Sequence, residues 1–329
     1  MTAPGLAVGV DVGGTKVLGV ALAADGAILA EVRLPTPPSA GPHPVAGSAV
    51  ADVVAQAADE LLAAAGASRD AGVPVGVGVP GLVGRDGHLV FAPNLQSATG
   101  ARFDQLLAER LGDQRVVVEN DANCAALAEQ RLGAGRQADE ALIVTLGTGI
   151  GGGVVTGGHL VLGAAGFGGE VGHMVVDPSG PPCGCGRRGC WERYASGSGL
   201  GRLAREAAQA GQLPGVLILA GDPEAVRGEH VMEAAVAGDV GALGVLDQLA
   251  WWVALGLANL AAITDPERIV LGGGLVANGE LLLAPIRRSF AELLYAGDRR
   301  PAIAIVAAEM GERAGAVGAA LAARSDGPL

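Results

Sequence analysis

Short apolar runs separated by glycines open the chain. GLAVGV (5–10) and VLGVAL (17–22) each read as a strand, with DVGGTK as the turn between them. A turn at ADGA leads to a third strand, ILAEVRLPT (28–36). After a proline-rich loop (35–44), PVAGSAVADVVAQAADELLAAAG (44–66) takes the helical period. VPVGVGVPG (73–81) is apolar throughout, the pattern of a strand covered on both faces. A helix, FDQLLAERLG, precedes a strand, RVVVEN (115–120). A second helix starts at Asp121 with DANCAALAEQRLGAG and is closed by glycine.

The second half repeats the theme. ALIVTLGTGIGGGVVTGG (141–158) is again strand, glycine turn, strand, and RIVLGGGLVANG (268–279) is a strand running into glycines. QLAWWVALGLANLAAIT is 17 residues between Asp247 and Asp265, the short limit for a membrane span, and reads as a buried core helix. The last helix is ERAGAVGAALAAR (312–324). Strands alternating with helices predict an α/β fold, and 329 residues suffice for two domains.

Composition narrows the function. A net charge of −12 argues against nucleic acid as a partner. The start of the chain lacks a basic segment, so no signal peptide is expected and the predicted location is cytoplasmic, with no membrane partner. Four cysteines, Cys124, Cys183, Cys185 and Cys190, are too few for a disulfide scaffold. In a reducing compartment, close thiols more often bind metal.

Glycines just after a strand let backbone N–H groups approach a phosphate. Three such turns occur: Gly13–Gly14, Gly147–Gly149 and Gly272–Gly273. Each alone is compatible with an ordinary hairpin. GTGIGG (147–152) matches G-x-G-x-x-G, but its continuation is β-like, whereas a dinucleotide turn opens a helix. In the first turn, Asp11 is a candidate Mg2+ ligand through water, and Thr15 a candidate phosphate contact. In VVVENDAN, Asn120 and Asp121 begin a helix. They are either caps or, respectively, a polar-ligand contact and a general base.

HMVVDPSGPPCGCGRRGCWE (173–192) holds three of the cysteines behind a histidine. His173, Cys183, Cys185 and Cys190 make a Cys3His set, the donor set of a closed structural zinc site. Glu170 and Glu192 flank it, either solvated or held toward a ligand such as a sugar.

With these motifs in place, the chain resembles the ROK family (repressors, open reading frames and sugar kinases), and within it the bacterial glucokinase type. The resemblance rests on DVGGTK, GVGVPGLV, APNL, ENDAN, TLGTGIGGG, GEVGHM with CGCGRRGCWE, and VLGGG. It implies an actin-like ATPase (ribonuclease H-like) fold with two domains flanking a central cleft. The expected smaller domain is 1–120 plus a C-terminal helix at about 306–329, packing back on it; the larger is 121–305 with the zinc loop. It implies transfer of phosphate from ATP, with Mg2+, to the 6-hydroxyl of a hexose, glucose above others, with Asp121 as general base. Asn94, Asn120, Asp121, Glu170, His173 and Glu192 would contact the sugar, His173 with one nitrogen on Zn2+ and the other toward the sugar. Asp11, Gly13, Gly14, Thr15, Lys16, Gly147, Thr148, Gly149, Gly272 and Gly273 would serve ATP. A homodimer or homotetramer is implied.

Two departures qualify the match. After APN the run is LQSATGARF, without the aromatic that many family glucokinases carry there. The first phosphate motif begins at Asp11, so the DNA-binding domain of family repressors is not expected. The alternatives are a kinase for N-acetylmannosamine, fructose or allose, or a sugar sensor without turnover. A sensor needs no base, so retention of Asp121 and both phosphate loops favours the enzyme.

Overall fold

The structure, a computed structural model, describes residues 5–38, 47–112, 114–325 and 329. Most of the expected proline-rich loop and the first residues of the helix after it (39–46) lie outside the described residues.

Strands β1 (Ala7–Val12), β2 (Lys16–Leu22) and β3 (Ile28–Pro35) form an antiparallel meander. They are followed by α1 (Ser48–Ala64), β4 (Val75–Val79), a small sheet of β5 (Leu82–Val83), β6 (His88–Phe91) and β7 (Ala101–Arg102), then α2 (Phe103–Leu111), β8 (Val116–Asn120) and α3 (Asp121–Arg131). The first main sheet has the order β3-β2-β1-β4-β8, with β4 parallel to both β1 and β8. Every residue of β4 is buried, as its unbroken apolar run requires of a strand covered on both faces. The edge strand β3 is largely solvent-facing.

The second half contains β9 (Ala141–Leu146), β10 (Ile150–Thr156), β11 (His159–Leu160), α4 (Glu192–Ala195), α5 (Gly197–Gln209), α6 (Pro214–Ala220), α7 (Gly228–Val236), α8 (Val240–Thr264), β12 (Arg268–Gly272), α9 (Glu280–Leu293), β13 (Ala304–Ala307) and α10 (Ala314–Arg324). Its sheet has the order β11-β10-β9-β12-β13. Both main sheets therefore run third-second-first-fourth-fifth in chain order.

The chain forms two compact units, Met1–Asp139 with Gly153–Gly169 and Glu309–Leu329, and Glu140–Gly152 with Glu170–Ala308. This division differs from the expected boundary at residue 120, because α3 and residues 153–169 belong to the first unit. The C-terminal helix holds α3 there. A Cβ built on Gly318 of α10 would lie 1.7 Å from the Cys124 carbonyl oxygen, so only glycine lets the two helices approach this closely.

The apolar run at 248–264 is the later part of α8, which starts eight residues earlier, where the Asp239 side chain caps Ala242 N–H at 2.8 Å. Leu246, Leu249, Val253 and Leu257 are buried, and α8 packs against α4, α5, α7 and α9. It is the core helix of the second unit.

Candidate active site

In the first unit, acids gather where parallel strands end, the usual ligand-binding edge of such sheets. Asp11 near the end of β1 pairs with Gly78 of β4, which pairs with Glu119 of β8. Asp121 follows as the first residue of α3. Asn120 is the cap: its Oδ1 accepts from Asn123 N–H at 2.9 Å. Its Nδ2 donates to the Gly81 carbonyl at 3.0 Å and to Asp121 Oδ1 at 3.1 Å. Ala122 N–H donates to the same Oδ1 at 2.9 Å. Capping thus falls to Asn120, and both hydrogen bonds to the Asp121 carboxylate fall on Oδ1.

Asp11 and Asp121 keep some solvent-facing surface but are enclosed by protein. Burial raises the Asp121 carboxyl above its ordinary range, against the Ala122 N–H that favours the anion. Burial, and then the charge of Asp121, push Asp11 up to about 7, with Lys16 acting in the opposite sense. A Cβ on Gly315 of α10 would sit 2.6 Å from the Asp11 carboxyl carbon, so α10 leaves room for that side chain only by having none of its own there. Glu119 is buried; its Oε1 accepts from Asn120 N–H at 2.8 Å and Asn123 Nδ2 at 3.1 Å.

The first turn is braced by Thr36, the residue after β3. Gly13 N–H donates to the Lys16 carbonyl at 2.9 Å, Thr36 Oγ1 donates to the Gly13 carbonyl at 2.7 Å, and Thr36 N–H to the Thr15 carbonyl at 3.1 Å. Gly14, Thr15 and Asn94 are exposed. Lys16 is engaged elsewhere: its Nζ lies 2.7 Å from Glu312 Oε2, just before α10.

In the second unit, the matching turn closes with Gly147 N–H donating to the Gly149 carbonyl at 3.0 Å, and Thr148 is exposed. Gly272 pairs with Thr145 of β9, and Gly273 has φ 88°, where a side chain would also meet the Leu146 backbone. Glu192 at the start of α4 turns its Oε2 to Ile150 N–H at 3.2 Å.

His173, Cys183, Cys185 and Cys190 converge, with ligand atoms all within 4.8 Å of one another. A small hairpin does this through the bridges Val175–Cys190 and Pro182–Arg188. Cys183 Sγ lies 3.7 Å from His173 Nδ1, and Cys185 Sγ 3.6 Å from Cys190 Sγ. Zn–S bonds of about 2.3 Å in a tetrahedron put sulfurs about 3.8 Å apart, so the spacing suits zinc. His173 Nε2 lies 4.0 Å from Glu170 Oε2. Cys124 is buried in α3 and is not one of these four ligands.

The ROK family model matches residues 7–326. This chain belongs to the ROK family. Its relatives include the glucokinase of Streptomyces coelicolor, 39% identical over 99% of each chain, and that of Thermotoga maritima, 37% identical over 95% of each. Among solved structures it is similar to a ROK family glucokinase from Streptomyces griseus in complex with glucose and AMPPNP. Identity there is 40%, the TM-score is 0.82, and the match covers 97% of this chain and 99% of that one. The two like-ordered sheets belong to the actin-like ATPase fold expected from the family resemblance.

ROK motifs identify most of these residues, but three supports escape them. Thr36 is separated from its turn by two strands. The buried Glu129 of α3 accepts from the N–H groups of Ala134 at 2.9 Å, Glu309 at 3.1 Å and Met310 at 2.7 Å, fixing the chain as it enters the last helix. An acid at a mostly buried helical position was the available signal. Glu312 receives Lys16, and nothing local to either residue announces the pair.

Proposed function

We propose that the protein is an ATP-dependent hexose kinase that converts glucose to glucose 6-phosphate. The carrying observation is the Asp121 carboxylate. It is enclosed, its Oδ1 is fixed by Asn120 and Ala122, and burial raises its proton affinity toward that of a useful base. The identity to two glucokinases over nearly the whole chain supports glucose as acceptor, and the likeness to a glucokinase solved with glucose and AMPPNP supports ATP as donor.

Asp121 takes the proton of the sugar 6-hydroxyl as that oxygen attacks the γ-phosphorus of ATP; the phosphorus–oxygen bond to ADP breaks, and ADP leaves with the bonding pair. Asn94, Asn120, Glu170, His173 and Glu192 are assigned to sugar binding and orientation. The first turn (Gly13, Gly14, Thr15, Lys16), the second (Gly147, Thr148, Gly149) and Gly272–Gly273 are assigned to the nucleotide. Asp11, whose carboxyl crowds Asp121, would hold Mg2+ through water, and that cation would offset the phosphate charge. His173 Nδ1, Cys183, Cys185 and Cys190 would hold Zn2+, which would fix the loop carrying Glu170 and Glu192. We further propose a cytoplasmic homodimer or homotetramer.

ADP release measured across glucose, mannose, fructose, allose and N-acetylmannosamine tests the assignment. Glucose is expected to give the highest kcat/KM; no turnover with any hexose would leave a sensor. Metal analysis is expected to find about one zinc per chain.

A further inference from the structure

Glu192 stands next to the cysteine knuckle in sequence, yet its carboxylate contacts the glycine turn of β9 and β10. Oε2 accepts Ile150 N–H at 3.2 Å. A Cβ built on Gly149 would fall 2.3 Å from the same oxygen, so the absence of a side chain at 149 is what admits the carboxylate. The residues that follow complete the brace. Gly197 N–H donates to the Gly147 carbonyl at 2.7 Å, and Ser198 N–H to the Thr148 carbonyl at 3.3 Å. The Gly149 carbonyl is already taken by Gly147 N–H. All three carbonyls of the turn therefore have donors. Among the described residues, the Thr148 and Gly149 N–H groups have no acceptor, and these are the donors an anion uses.

The brace is itself anchored. Trp191, just before Glu192, is fully buried, donates its indole N–H to the Trp252 carbonyl of α8 at 2.7 Å, and its backbone N–H to the Met174 carbonyl at 2.7 Å. Ser196 Oγ donates back to the Glu192 carbonyl at 2.7 Å, closing α4 on itself.

We infer that Glu192 is a positioning residue for the phosphate turn: it holds the Ile150 N–H at the turn's end while Gly197 and Ser198 hold two of its carbonyls, so that Thr148 and Gly149 present their N–H groups to the nucleotide. This rests on the nucleotide assignment of the turn proposed above, and it gives Glu192 a task besides the sugar contact.

Four variants test it: Glu192→Ala, Glu192→Gln, Gly149→Ala and the double Glu192→Ala/Gly149→Ala. The readouts are hydrogen exchange at the Ile150 amide and AMPPNP affinity by calorimetry without sugar. Glu192→Ala is expected to speed Ile150 exchange and to weaken AMPPNP about tenfold, the scale of one charge-assisted hydrogen bond. Glu192→Gln still offers an oxygen to Ile150 N–H and is expected to keep both close to wild type, whatever happens to the sugar KM. Gly149→Ala displaces the carboxylate without altering it, so it should resemble Glu192→Ala. The double variant should be no worse than the more impaired single one, because both remove one interaction. Unchanged Ile150 exchange in Glu192→Ala overturns the inference and leaves the kinase assignment, which stands on Asp121, intact. So does Glu192→Gln being as damaging to AMPPNP as alanine, or full additivity in the double variant. Faster Ile150 exchange with unchanged AMPPNP affinity overturns both the inference and the nucleotide assignment of this turn.

Discussion

The turns β1–β2 and β9–β10 occupy the same place in two sheets of the same strand order, and each has three residues between its strands. Asp11 stands where Thr145 stands, each paired with a glycine on the next parallel strand, Gly78 or Gly272. The first turn carries an acid, sits beside Asp121 and Glu119, and is braced by a threonine hydroxyl from just after β3. The second carries no acid of its own and takes one from 42 residues away, Glu192, which faces its backbone. One strand order thus supports two kinds of turn. The first concentrates negative charge that a cation or a hydroxyl proton can relieve. The second spends its one carboxylate on backbone geometry and leaves amide donors for an anion.

The largest expected effect tests the charged side. Asp121→Asn keeps the acceptor for Ala122 N–H but removes the proposed base, so kcat should fall by about 10²–10⁴ while glucose still binds by calorimetry. Near-normal turnover would remove the functional distinction between the two turns.

Next is the helix that carries the proposed base. Glu129→Ala leaves three backbone N–H groups without their acceptor, and the unfolding free energy should drop by roughly 3 kcal/mol in urea titrations. Glu129→Gln should lose less. No change in either would mean that α3 is held by its packing on α10 alone.

A milder change probes the neutral side. Gly147 has open space where a Cβ would go, so Gly147→Val should fold. It should raise the ATP KM about tenfold by keeping phosphate off the turn's N–H groups, with little change in the glucose KM. Equal losses for both substrates would mean that the second turn is not the nucleotide side.

The smallest effect is in pH dependence. Folded Asp11 keeps its proton up to about 7, whereas its ordinary value is 3.8. Between those values the folded chain binds more protons than the unfolded one, so this group's contribution is fully present below pH 3.8 and is lost as pH rises toward 7. Half-buried carboxylates lowered by arginine partners, such as Glu31 and Asp104, act in the opposite direction and offset it. Comparing ligand-free Asp11→Asn with wild type by thermal melts from pH 4 to 7 isolates the term: wild type should lose stability relative to the variant as pH rises. Parallel curves would mean that the first turn carries no excess charge.

Much of the chemistry was written locally. Glycine turns after apolar strands, an acid at the start of α3, and a histidine with three cysteines are patterns of adjacent or closely spaced residues, and the secondary structure needed to present them is set by the same short runs. The unit boundary was not local. The family resemblance implied an end at residue 120, but the backbone contact between Cys124 and Gly318 draws α3 into the first unit. Nor were the supports: Thr36 under Gly13, Glu129 under residues 309 and 310, Glu312 on Lys16, and Glu192 under Ile150 all join positions distant in sequence. A side chain's residue type states which bonds it can make. Which group it meets depends on how helices and sheets pack, a property of the whole folded chain that no short window contains. By itself the sequence determined most strands of the two main sheets, their glycine turns and the family, whereas the tertiary structure alone decided which backbone groups the side chains hold.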